Sequence, residues 1–480
     1  MKSEHRKVLT AAAVGSALEW YDFFIYGTAA ALVFGELFFP KLDPTVGTLA
    51  SFATFGVGFA ARPLGGIVFG HLGDKLGRKP ILVITLLLVG GGTFLIGLLP
   101  TYETAGLAAP ALLVLLRLVQ GFGAGAEYGG AVILAVEFAP EGKRGLFGSW
   151  APIGVTVGNL LAAGVFAACS SLPREDFLAW GWRIPFLLSI VLVLVGFYIR
   201  AKVTETPVFR EAVSRRKVLR SPIVEVMRRY PKEVLVVIGA RLAENGLGYL
   251  FPVFALNYLT RNLGVPKSTA LTGIMTAHAL SLLTIPLFSA LSDRVGRRPV
   301  YMGAAIFAGL FAYPFFLLIE TRDPLLITVA MILGIAVGVA GMFGPQAAYF
   351  AEMFGARLRY SGFAVARELG SLLAGGIVPF VSAWLVVSMN GQPWGVAAYM
   401  IAMCAITAVA VYVGPRPIER ICGPNVKARR EAALPAAPVR ARAPRRERTV
   451  TRGLNAGHPF HSARSLLCSG TRTGPHRNPR

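Results

Sequence analysis

The sequence predicts an all-α integral membrane protein, with twelve transmembrane helices in two pseudo-symmetric six-helix bundles. Three observations predict it. Of the 480 residues 54% are hydrophobic and 15% charged, and the mean hydropathy of +0.59 is high for a soluble domain. The apolar residues gather in runs of roughly twenty, the length that crosses a bilayer as a helix. Two decapeptides, GHLGDKLGRK (70–79) and SALSDRVGRR (289–298), share the pattern small-x-x-small-Asp-basic-x-Gly-basic-basic and recur in corresponding places of the two halves.

In order along the chain, the apolar runs place spans near 10–36, 47–71, 80–99, 108–138, 146–170, 182–200, 233–260, 268–291, 300–320, 324–350, 362–387 and 394–413. Backbone polar groups in lipid must be bonded within their own segment, so each run is read as a helix. The 54 glycines are compatible with this, because Gly is common where membrane helices approach closely. The first run has no small-residue cleavage site behind it and is too long for a signal-peptide core, so it is read as retained. Cys169, Cys404, Cys422 and Cys468 have neither metal nor redox spacing, and no metal or cofactor is expected.

The formal charge of +23 lies mostly outside these runs. Residues 414–480 carry 15 Lys and Arg against 3 Glu, and the segment 200–232 holds ten more basic residues. Lys and Arg in short flanking loops mark the cytoplasmic side. That rule puts the N-terminus, the loops at 73–79, 141–145, 200–232, 292–298 and 355–360, and the C-terminus inside, with both ends of the chain cytoplasmic at a cell inner membrane. The expected organisation is a first bundle over 1–200, a basic linker over 201–232, a second bundle over 233–413 and a disordered basic tail over 414–480. Pro435, Pro438 and Pro444 break any continuous helix in the tail. Its arginines suit anionic lipid beside the inner leaflet, and nucleic acid is not an expected partner.

The repeat extends to AVEFAPEGKRGLFG (135–148) and AEMFGARLRYSG (351–362). By itself one Asp-basic-Gly-basic-basic loop reads as a tight turn with solvated charges. Two copies resemble the inner loops of the major facilitator superfamily, and RLVQGFGAGAEYGG (117–130) resembles its fourth-helix motif. Within the superfamily, EWYDFFIYG (19–27), RPLGGIVFGHLGDKLGRK (62–79), GWRIPFLLSIVLVL (181–194) and ETPVF (205–209) are similar to the metabolite:proton symporter family. GTLASFATFGVGFAARPLGG (47–66) and FALNYLTRNLG (254–264) are most similar to its shikimate-type permeases. The resemblance implies a proton-coupled secondary transporter that imports a small organic acid, shikimate-like or a dicarboxylate, by alternating access. A proline/betaine compatible-solute symporter and an organic-acid exporter are the alternatives. It also implies that Gly70, Asp74, Gly77, Arg78 and Lys79, repeated as Asp293, Gly296, Arg297 and Arg298, latch the halves together at their inner end.

Charges inside the spans point to the chemistry. A charged side chain at the centre of a span costs about 2.5–3.5 kcal/mol on insertion scales, so several together must be paired or hydrated. Glu19, Asp22 and Tyr26 fall at i, i+3 and i+7 on one face of the first helix. Arg62 lies in the second span, Arg117 and Glu127 in the fourth, Arg241 and Glu244 with Asn245 and Tyr249 in the seventh, Arg367 and Glu368 in the eleventh. Low dielectric favours the neutral form of a carboxyl, and a nearby arginine favours the charged form. A carboxylate between these influences can carry a proton. Asp22 is the first candidate, followed by Glu127, Glu244 and Glu19. An organic anion is matched by the planar fork of a guanidinium, which points to Arg117 and Arg62, then Arg241. Tyr26, Tyr128, Asn245 and Tyr249 can bind substrate hydroxyls, though tyrosines on such helices also serve in packing. His278, in the eighth span, reads as a hydrogen-bonded interior residue or a proton relay. The glycines of QGFGAGAEYGG follow no strand and lack the Lys-Ser/Thr ending of a phosphate loop. Gly121, Gly125 and Gly129 instead repeat every four residues and predict a smooth face for helix contact. No grouped nucleophile or metal ligands suggest an integral-membrane enzyme, and no folded output domain suggests a sensor.

Overall fold

The computed structural model describes residues 3–76, 78–125, 127–137, 139–140, 142–202, 222–355 and 358–415, without the side chains of 3–8, 70, 71, 73–79 and 127, among others. The expected linker and tail therefore lie mostly outside the described residues. All regular structure among the described residues is helical. Eight helices are long and apolar enough to cross a membrane: α2 (Pro44–Leu76, apolar over Pro44–Phe69), α4 (Ala108–Glu137), α5 (Arg144–Ser170), α7 (Pro231–Asn262), α8 (Lys267–Val295), α10 (Pro324–Met353), α11 (Arg359–Ser388) and α12 (Trp394–Val413). A ninth span, α9, is a pair, Arg297–Leu310 and Ala312–Glu320, bent by 45°. Two have shorter apolar stretches: α3 (Arg78–Gly97) and α6 (Gly181–Phe197). The remaining long helix, α1 (Ser3–Leu32), is continuous and carries Glu19 and Asp22 within its apolar run. Together they are the twelve spans in the predicted order.

Local chemistry sets the helix starts. Pro44, Pro231 and Pro324 open α2, α7 and α10, where a missing N–H costs nothing. Asp323 caps α10 by accepting from the amides of Leu325 and Leu326 at 2.9 Å. Asp43 accepts from the Thr45 amide at 2.9 Å in the same way, and this bond holds its carboxyl below the usual carboxylate range. Where the α-helical ladder is interrupted it widens to π geometry, over Leu250–Ala255 and Tyr258–Asn262 of α7 and Ile332–Val339 of α10. Pro252, with no amide hydrogen to give, lies in the first of these.

The packing repeats with an offset of six helices. In the first half α1 lies along α5, α2 along α4, and α3 touches α4 and α6. In the second half α7 lies along α11, α8 along α10, and α9 touches α10 and α12. The halves meet along α5–α8 and α2–α11, which the same offset interchanges. Glycine permits the closest approaches. A Cβ on Gly121 would overlap the carbonyl of Gly58, and one on Gly125 that of Arg62, so α4 lies on the backbone of α2. Gly129 faces Phe363 of α11 at an ordinary 3.5 Å.

Candidate functional site

Midway along the helices, ionisable side chains are buried almost completely. Arg62 and Arg117 are 0% exposed, Arg241 and Arg367 1%, and Glu19, Asp22, Glu244 and Glu368 between 3% and 5%. An isolated charge in such a place costs several kcal/mol, so its partners define the arrangement.

A chain of four charges crosses from one half to the other. Arg62 Nε on α2 donates to Glu368 Oε2 on α11 at 2.8 Å, and Nη2 donates to Glu19 Oε1 on α1 at 3.3 Å. Glu368 also accepts from Arg367 Nη1 at 2.5 Å. Aromatic faces cover these cations: Phe23 and Trp20 lie 4.9 and 5.4 Å from the Arg62 guanidinium carbon, and Tyr128 3.8 Å from that of Arg367. Cation–π contact of this kind gains when it is desolvated.

A second group lies on α7, where the i, i+3, i+4 spacing brings three polar side chains together. Arg241 donates to Glu244 Oε2 at 2.8 Å, to Asn245 Oδ1 at 2.9 Å and to Ser371 Oγ at 3.0 Å. Gln346 of α10 also donates to Glu244. A third group lies within the first half. Arg117 donates to Gln120 Oε1 at 3.1 Å, and Gln120 to Thr93 Oγ1 at 2.6 Å. The Arg117 guanidinium carbon lies 4.2 Å from the Tyr26 ring centroid and 4.4 Å from that of Phe23. Gly58 makes the room: a Cβ there would meet Arg117 Nε at 2.5 Å. Tyr26 donates to Thr54 at 2.7 Å, and Asp22 lies beside Thr93 and Arg117.

A cleft of about 570 Å³, counted to its open mouth, lies where the halves meet; its walls include Trp20, Arg241, Glu244, Asn245, Tyr249 and His278. His278 of α8 shares a 2.6 Å hydrogen bond with Asn159 of α5 across the seam. Asp22, Arg117, Arg62, Tyr26 and Tyr128 do not line this cleft. Trp20 connects the regions, because its ring lies 6.3 Å from both Tyr128 and Tyr249 while facing Arg62. Several fully buried donors have no acceptor: Nε and Nη2 of Arg117 and of Arg367, Nη1 of Arg62, Nε1 of Trp20 and Nδ2 of Asn245. The hydroxyls of Tyr128 and Tyr249 are also unpartnered.

At one end of the bundle, where α8 meets the start of α5, Asp293 joins the halves. Its carboxylate accepts from the amides of Gly145 and Leu146 at 2.8 and 2.9 Å, at the N-terminus of α5, and from Arg297 at 2.6 Å. An anion there satisfies free helix-end amides and the helix dipole. Arg297 also pairs with Glu352 at 3.3 Å, and Arg359 with Glu137 at 3.1 Å. Gly296 adopts φ 104°, a conformation suited to glycine. Arg298 turns away from the seam, to the carbonyls of Val411 and Tyr412 at the end of α12. Gly77 and the side chains of Asp74, Arg78, Lys79 and Glu127 lie outside the described residues, and of Gly70 only the helical backbone is described.

Trp20, Gln346, Ser371 and Asn159 are absent from the sequence candidates. Gln346 was discernible as a lone amide in an apolar span; Trp20 and Ser371 look like ordinary packing residues until α1, α7 and α11 are placed.

Two groups of six helices, related by internal repetition and closed over mutually paired charges, are the build of a secondary transporter. The profile of the family described as Sugar (and other) transporter matches residues 8–220, and that of the Major Facilitator Superfamily residues 234–454. The chain is 42% identical over 413 residues to the shikimate transporter of Escherichia coli (strain K12), covering 85% of this chain and 94% of that one. It is 38% identical over 414 residues to the proline/betaine transporter of the same organism, covering 84% and 82%. Among solved structures, the D-xylose-proton symporter superposes with a TM-score of 0.66 at 18% identity, over 85% of this chain and 98% of that one. The chain belongs to the major facilitator superfamily of multi-pass membrane transporters.

Proposed function

We propose that this chain is a proton-coupled symporter that imports a small organic acid, shikimate-like or a dicarboxylate, by alternating access. The observation that carries this reading is the set of open N–H donors on Arg62, Arg117 and Arg367, which are almost wholly buried. A buried cation with unfilled donors is costly, and a carboxylate matches the guanidinium fork. The four buried arginines are balanced by Glu19, Asp22, Glu244 and Glu368. A proton on Asp22 leaves this set with one excess positive charge beside Arg117. A monovalent carboxylate then restores neutrality, so proton and anion are accommodated together at less cost than either alone. Glu127, Glu244 and Glu19 are the further candidates for the proton, and Tyr26, Tyr128, Asn245 and Tyr249 for substrate hydroxyls. Arg241, bonded to Glu244, Asn245 and Ser371, is the third candidate for the anion.

Alternating access requires that the halves separate in turn at each end. Asp293 and Arg297, with the Asp74 loop as their counterpart, act as the latch at the inner end, and the two bundles extend over 1–200 and 233–413. The charge pattern of the loops supports an inner-membrane protein with both termini cytoplasmic, its basic tail lying on anionic lipid. A second reading has a specific observation behind it. Trp20, Phe24 and Tyr249 line the same cleft as Arg241 and Glu244, a combination that suits a zwitterion with a quaternary nitrogen.

Uptake of labelled shikimate, a dicarboxylate and betaine into proteoliposomes under an imposed pH gradient tests both readings. Carboxylate accumulation that collapses with the gradient supports the first, and betaine uptake alone supports the second. In the Asp22→Asn variant, substrate binding persists while gradient-driven accumulation is lost; wild-type accumulation would remove Asp22 from proton coupling.

A further inference from the structure

A second cavity lies at the end of the bundle opposite the Asp293 latch. Its empty space is about 1140 Å³, and it is bounded by the end of α1, the start of α2, the end of α7 and the start of α8. Its charges are unequal in number. Arg174, Arg261 and Lys267 line it together with Glu36. Glu36 accepts from Arg174 at 2.9 Å and from Arg261 at 3.4 Å, so one carboxylate is shared by two arginines, one in each half. Lys267, at the start of α8, lies 4.7 Å over the ring of Phe177. Phe254 also lines the cavity, and Tyr249, which borders the central cleft, stands five residues deeper on α7, about 7 Å along the axis.

We propose that this vestibule is an anion-collecting antechamber. Arg174, Arg261 and Lys267 gather a small carboxylate anion, which replaces the Glu36 carboxylate on the two arginines before it descends to the central cleft. Three properties support this. The cations converge on one water-accessible cavity rather than on separate surfaces. Their one counter-ion in the cavity, Glu36, is held by partly exposed arginine side chains, which can exchange it for another carboxylate. The Glu36–Arg261 contact also joins the halves, so the incoming anion competes with a bond that helps close this end. Two uncompensated charges about 10 Å away in water raise the local concentration of a monovalent anion about fourfold and lower that of a cation by the same factor. The identity of the anion as a transported carboxylate rests on the function proposed above; the collection of anions does not.

The full-length protein with Cys422 and Cys468 replaced by serine keeps only the buried Cys169 and Cys404. Asn262→Cys in this background puts an exposed thiol on the vestibule wall. At an ionic strength near 20 mM, where the Debye length is roughly 20 Å, a negatively charged methanethiosulfonate should react with it about sixfold faster than a positively charged one, after correction for their rates with a free thiol. Adding Lys267→Glu should bring the ratio close to one. In whole cells in a sucrose medium of the same ionic strength, Lys267→Glu should raise KM for external labelled shikimate about twofold with kcat unchanged, and Glu36→Gln should lower it. Efflux from the inside should be unaffected by either. A reagent ratio of one or less in the parent, or a KM that moves the same way in both variants, overturns the proposal. A preserved reagent ratio with no carboxylate transported at all would instead count against the organic-acid function and leave the anion-collecting vestibule standing.

Discussion

Arg62→Gln tests whether the charge chain through the middle of the bundle holds the halves in the conformation described. Arg62 bonds Glu368 of α11 at 2.8 Å and Glu19 of α1 at 3.3 Å, with its side chain 1% exposed. Glutamine keeps much of the bulk and none of the charge. Removing one partner of a buried ion pair costs about 3–5 kcal/mol. Glu368 keeps Arg367 at 2.5 Å, which places the expectation near the lower bound, about 3 kcal/mol. The lost bond spans α2 and α11, which belong to opposite halves. Its energy is therefore lost from conformers in which these helices approach and not from those in which they part. At 1.4 kcal/mol per factor of ten, the population ratio changes by more than a hundredfold. Spin labels on Thr104→Cys and Thr321→Cys, exposed sites in equivalent loops of the two halves, report the separation by pulsed electron resonance. A second distance population should appear in Arg62→Gln. Combining it with Glu368→Gln should show a coupling above about 1 kcal/mol in a double-mutant cycle. An unchanged distance distribution with coupling below about 0.5 kcal/mol would show that the pair serves only helix packing.

Other expectations concern the latch, the helix contacts and the anion site. Asp293→Asn removes the charge that holds the Gly145 and Leu146 amides; their hydrogen exchange should accelerate about tenfold, for a capping loss of about 1.4 kcal/mol, and unchanged protection would refute the latch role. Gly125→Ala forces a Cβ onto the carbonyl of Arg62, whereas a Cβ on Gly91 meets nothing within 4 Å. Thermal unfolding in detergent should show Gly125→Ala destabilised by about 1–3 kcal/mol and Gly91→Ala unaffected; equal effects would contradict the close α2–α4 contact. Arg117→Lys keeps the charge but not the planar fork. The KM for a carboxylate substrate should rise about tenfold with little change in stability, and an unchanged KM would make Arg117 a structural cation.

Hydrophobic run length and the repeated Asp-basic-Gly-basic-basic loops were enough to read the helices and their order from the sequence. Each helix satisfies its own backbone, so its existence depends on local composition. The same holds for the pairing of Arg241 with Glu244 and Asn245, because a spacing of three and four residues makes neighbours on any helix, and for the Gly121–Gly125 face, which needs only its own period.

Contacts between distant helices are another matter. The sequence put Asp22, Arg117 and Glu244 in one class of buried charge; the structure divides them between two groups, Asp22 with Arg117 and Glu244 with Arg241, of which only the second lines the central cleft. Nothing local indicates that Arg62 bonds a carboxylate 306 residues away, or that Asp293 reaches an amide 148 residues earlier. Nor does anything local indicate that Glu36 serves arginines from both halves. Composition decides which segments leave water and must bring their charges in pairs. Which charges meet is decided by how helices pack, because side chains a few ångströms apart in a low-dielectric interior exchange partners according to geometry, and only the folded bundle supplies that geometry.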